Sequence, residues 1–163
     1  MELLAAALKL IHVLSVTTLV GGLGGWVVAE RWARREGWRG LATVDRGMVA
    51  TGLLLSIALG FVIFSGLGLY YLRNGQFTWA IAASPWGAGQ TVKGMFFLVF
   101  WVHWGWTEVV TLNDVRRKTP ASDADSPPEG FEAAHHKAWR ALRLLFAEAA
   151  ALLSLSALLP TLG

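Results

Sequence analysis

Two imidazoles lie inside apolar stretches of this chain, and the candidate chemistry starts from them. His12 sits in LLAAALKLIHVLSVTTLVGGLGGWVV, residues 3–28, and His103 sits in a later run, about 91–113. A titratable side chain in hydrocarbon is costly and asks for a partner. Two neutral imidazoles at one depth, on helices running the same way, form the donor set of a b-type haem, with one nitrogen on each face of the iron. His12 is nine residues inside its segment and His103 twelve residues inside its own. At 1.5 Å rise per residue those depths differ by about 5 Å.

The neighbours at helical spacing suit a flat ring. Ser15, Val16 and Leu19 share the His12 face, and Gly22 continues that stripe and leaves room. Phe96, Val99 and Phe100 precede His103 on its face, and Trp106 and Thr107 follow. The expectation is therefore that His12 and His103 ligate the metal, with Ser15, Gly22, Phe96, Phe100 and Trp106 around the ring. The same aromatics and glycines, with nine tryptophans in all, also suit plain helix packing. Beside the first reading, a haem-b redox protein that transfers electrons, that leaves open a second from another class: a non-catalytic subunit packed on a larger membrane complex, with respiratory or other membrane partners or a second copy of itself.

Other titratable groups rank below this pair. Glu148, inside LLFAEAAALLSLSALLP, can take up and release a proton within the bilayer, which suits a proton carrier. Lys93, near the start of the third segment, either snorkels to the interface or meets a propionate. Glu108 is expected to pair with Arg140 or Arg143. His135 and His136 read as exposed, because no metal-ligand spacing accompanies them.

Four elements must position these groups. The chain has 163 residues, is 55% hydrophobic and only 15% charged, which is too apolar for an ordinary soluble domain. Apolar segments at about 3–28, 48–72, 91–113 and 139–160 are each long enough to span a bilayer, and helix is the form that satisfies its own backbone there. The fold expected is an all-α integral membrane four-helix bundle forming one domain. There is no cysteine, which excludes disulfides, thiolate-ligated iron–sulfur clusters and thioether-linked haem. The first segment, which opens Met-Glu, reads as a retained helix.

Eleven of the fourteen basic residues lie in or beside the segments 29–47 and 114–138. The positive-inside rule puts both in the cytoplasm and both termini outside, in a multi-pass protein of the cell (inner) membrane that contacts lipid and no nucleic acid. The outer loop holds Phe77, Trp79 and Trp86 and is expected along the interface. TPASDADSPPEG reads as a flexible inner loop, and FEAAHHKAWRALR as a helical lead-in to the last span, which Pro160 ends.

Lys9-x-x-His12-Val13 followed by Gly21-Gly22 resembles the first helix of the HemJ-type protoporphyrinogen oxidases and the related CopD-like copper-resistance membrane proteins. Lys93 ten residues before His103 is similar to a later helix of that group, and Arg143-Leu-Leu-Phe-Ala147-Glu148 to its last helix. The family pattern has asparagine before the glutamate, where this chain has Ala147. The resemblance implies a membrane helical bundle that binds haem b and oxidises protoporphyrinogen, with His12 as a haem ligand and Lys93 as a functional basic residue. Copper handling ranks low: copper(I) prefers sulfur, and this chain offers only Met1, Met48 and Met95.

Overall fold

The computed structural model describes residues 2–75, 85–121 and 124–158. Long helices dominate it: α1 (Glu2–Ala33), α2 (Trp38–Asn74), α3 (Pro85–Trp106) and α5 (Phe131–Leu158), with a short α4 (Asn113–Lys118). Among the described residues four helical stretches, Glu2–Glu36, Trp38–Asn74, Gly87–Lys118 and Phe131–Leu158, are long and apolar enough to cross a membrane. The all-α four-helix architecture expected from composition is the one observed. Phe77, Trp79 and Pro160, and the side chain of Trp86, lie outside the described residues.

The helices run further than their apolar cores. The segment 29–47 is helical except for a tight connection: a 3₁₀ turn at Arg34–Glu36, then Gly37 at φ +69°. Left-handed backbone there favours glycine, which has no Cβ to clash. Gly40 lets α2 restart against the end of α1, since a Cβ on it would lie 2.4 Å from the Ala33 carbonyl oxygen. The lead-in from Phe131 is also helical, as the sequence implied.

Helix α1 lies along α2, and α5 packs against both α1 and α3. Glycines bring α1 and α2 close. A Cβ on Gly22 would lie 2.7 Å from Leu55 Cδ2, and one on Gly68 would lie 3.0 Å from Leu8 Cδ1. Continuing past Trp106, the third helix widens into a π-helical turn at Thr107–Leu112. Such turns re-aim side chains at the cost of regular hydrogen bonding.

The core is concentrated toward the basic end of the bundle. Met48, Leu112, Val115, Phe131, Trp139, Leu142 and Leu145 are almost fully buried there. Toward the end that carries the termini the helices bury little. No residue from Glu2 to Leu14 of α1, from Ala88 to Val99 of α3, or from Ala150 to Leu158 of α5 is buried. In a bilayer such apolar surface meets lipid or a ligand.

Candidate functional site

His12 is held by α2. Its Nδ1 lies 3.0 Å from Ser65 Oγ, and Ser65 is buried. The Ser65 hydroxyl donates its single proton to the Phe61 carbonyl at 2.5 Å. A hydroxyl has one proton to give, so toward the ring Ser65 accepts, and Nδ1 carries the hydrogen. The Val62 carbonyl on α2 also accepts a hydrogen bond from the ring, and a neutral imidazole with its hydrogen on Nδ1 carries its lone pair on Nε2. Ser15 is buried on α1 and makes no described hydrogen bond to the ring. Gly66 admits the ring: a Cβ there would lie 3.4 Å from His12 Cε1. Lys93, half-buried at the start of α3, lies within electrostatic reach of the same imidazole. His12, Ser65, Gly66 and Lys93 thus form one group, in the part of the bundle where the helices bury least.

His103 belongs to a second group. Its Nδ1 lies 3.1 Å from both carboxyl oxygens of Glu148 on α5. A carboxylate accepts, so His103 donates through Nδ1. The pair is partly exposed, with side-chain accessibilities of 20% and 32%. Trp106 flanks the His103 ring at 6.5 Å between centroids and also carries Lys137 over its face at 5.6 Å. Phe100 stacks on Trp104 in the core, and Phe96 is exposed on α3.

The two imidazoles are not at one level. Trp104, next to His103, donates its indole N–H to Ser56 on α2 at 3.1 Å, whereas His12 meets Ser65. Nine residues of α2 separate those serines, about 13 Å along the helix at 1.5 Å per residue. Helix α1 gives the same answer: Phe146, two residues before the Glu148 partner, packs at Gly24, not near His12. Metal–imidazole bonds are about 2 Å long, so rings at such different depths do not clamp one iron. The equal-depth expectation fails because α3 starts at Pro85 rather than near 91, which sets His103 deeper. Gly22 does not leave room for a ring either, since Leu55 fills that space.

The basic end holds a polar cluster that the sequence pattern did not reveal. Glu30 and Asp45 are fully buried, as is His135. His135 Nδ1 is 3.0 Å from Asp45, and Trp139 donates its indole N–H to the same carboxylate at 3.1 Å. Glu30 pairs with Arg34 and with Arg143, the latter at 3.0 Å. His135 is therefore buried, against the expectation of an exposed residue, while His136 is exposed. Arg143 is committed to Glu30, and Glu108 pairs with neither it nor Arg140. Instead Glu108 borders a cleft of about 220 Å³ between α2 and α3, and its Oε2 has no hydrogen-bond partner among the described residues.

No group of three or more His, Cys, Asp or Glu side chains among the described residues is placed to hold a metal ion by itself. No protein-family model, curated protein or solved structure matches the chain.

Proposed function

We propose that the chain is a haem-b redox protein of the cell (inner) membrane, with His12 as the axial ligand it supplies. The observation that supports this is the state of the His12 ring. Ser65 accepts the Nδ1–H hydrogen bond, which assigns the lone pair to Nε2, in the part of the bundle where the helices bury little. A neutral imidazole oriented through its far nitrogen is the form that binds iron. Lys93 adds a cation beside it, suited to a propionate carboxylate. The donor chemistry around His12 therefore fits the group. His103 is withdrawn from the ligand set, because its depth differs from that of His12.

Haem supplies one-electron chemistry when bound. The protein's own part is to orient His12 through Ser65, to place the Lys93 charge, and to handle protons at the His103–Glu148 pair. A paired imidazole and carboxyl can pass a proton between Nδ1 and Oε without moving the backbone. By the family resemblance, the reaction served is oxidation of a porphyrinogen.

Haem titration tests the proposal. Haem-free protein in detergent should bind one equivalent of added haem, and His12→Ala should lower the affinity at least tenfold while His103→Ala keeps it. Equal affinity for His12→Ala and the parent would refute the assignment.

A further inference from the structure

At the basic end, Arg34, Arg140 and Arg143 converge with His136, Trp139 and Leu144 around a cleft of about 290 Å³. We infer that this cleft binds the phosphate of an anionic phospholipid.

The site is built from buried parts outward. Glu30, with no exposure, holds Arg34 from the 3₁₀ turn that follows its own helix and Arg143 from α5. Fixing those two guanidiniums removes much of the rotamer freedom that binding would otherwise cost. Arg143 spends only Nη2 on Glu30, and a guanidinium carries five N–H donors in a rigid fork. Arg140 makes no ion pair or hydrogen bond among the described residues. Three guanidiniums face one carboxylate, so the cleft keeps a surplus positive charge. Planar forks in that arrangement match the tetrahedral oxygens of a phosphate better than a single carboxylate.

A lipid is the source of that phosphate because of where the cleft sits. Leu144, on its wall, is 54% exposed on the surface of α5 and begins the apolar face of that helix. Arg35 lies over Trp32 at 5.4 Å and Arg39 over Trp38 at 5.3 Å, at the same end of the bundle. Trp32 is exposed and Trp38 half-buried, and tryptophans with basic partners mark headgroup depth. A phosphate held by the arginines would leave its acyl chains along Leu144. Basic pockets between membrane helices on the cytoplasmic side are suited to anionic headgroups.

The test uses the full chain in detergent, delipidated and then offered phosphatidylglycerol, phosphatidylcholine or inorganic phosphate, with bound molecules counted by native mass spectrometry. The expected result is retention of phosphatidylglycerol over phosphatidylcholine. Arg140→Gln should weaken that retention about tenfold, the size of one charged hydrogen bond. Arg117→Gln, which removes one exposed charge elsewhere at the same end, should leave it unchanged. Both variants keep the Glu30 pairs, so folding is not at issue. Equal loss in the two variants, or no preference between the lipids, would overturn the inference. Inorganic phosphate displacing the lipid at millimolar concentration would identify a free-anion site and overturn the lipid assignment.

Discussion

His135 Nδ1 stands 3.0 Å from both carboxyl oxygens of Asp45, ninety residues away in sequence, and neither side chain is exposed. With the Trp139 N–H on the same carboxylate, this contact ties α2 to α5 where the core is densest. Glu30 extends the tie to α1 through Arg143, and its Oε1 lies 3.9 Å from His135 Nε2.

Removing Asp45 should be costly. Asp45→Ala leaves the His135 and Trp139 donors buried without an acceptor, and breaking such a buried pair costs about 3–5 kcal/mol. Unfolding in a denaturing detergent should shift by that amount. A variant as stable as the parent would show that the contact carries no net stability.

Two glycines in α2 should respond oppositely to alanine. Gly40→Ala drives a Cβ to 2.4 Å from the Ala33 carbonyl oxygen, a backbone atom that cannot move aside. It should destabilise by about 1–3 kcal/mol, as overpacking does. Gly47→Ala meets nothing within 4 Å and should stabilise by about 0.5–1 kcal/mol, through the lower chain entropy of alanine. Thermal unfolding of the pair in one detergent decides it, and equal shifts would contradict the α1–α2 turn described.

Much of this fold was legible in the sequence, and the reason is solvent. In a membrane the backbone requirement leaves only helix for apolar runs of this length, so four runs gave four helices. Helix ends were less legible. Asp45 lies in TVDRG, beside an arginine-rich stretch that reads as a loop, yet α2 starts at Trp38 and buries it. His135 was hidden for the same reason: charged neighbours suggest exposure, while its partner lies in another helix. The depth of His103 depended on where α3 begins, and Pro85 with the glycines after it gave no apolar signal. Ser65 was missed because one serine in an apolar helix most often bonds its own backbone, as Ser65 also does.

The placement of the basic residues predicts an orientation that labelling can test. A cysteine placed near Gly163 should react with a membrane-impermeant reagent added outside intact cells, and one at Ser126 should not. The reverse pattern would place the arginine cleft and its lipid in the opposite leaflet.

Glu148→Gln keeps the shape of the side chain but cannot titrate. It should slow porphyrinogen oxidation in isolated membranes while leaving bound haem unchanged, because Glu148 meets His103 and not His12. Loss of haem in this variant would return His103 to the ligand set, and an unchanged rate would reduce the pair to a packing contact.

The central claim is that His12 is the haem ligand this chain supplies, and the visible spectrum of protein purified from haem-replete cells tests it most directly. The account predicts a Soret band that shifts on reduction, kept in His103→Ala and lost in His12→Ala. A colourless, fully folded parent protein would contradict it and leave the reading of a packing subunit. So would a Soret band that survives His12→Ala unaltered.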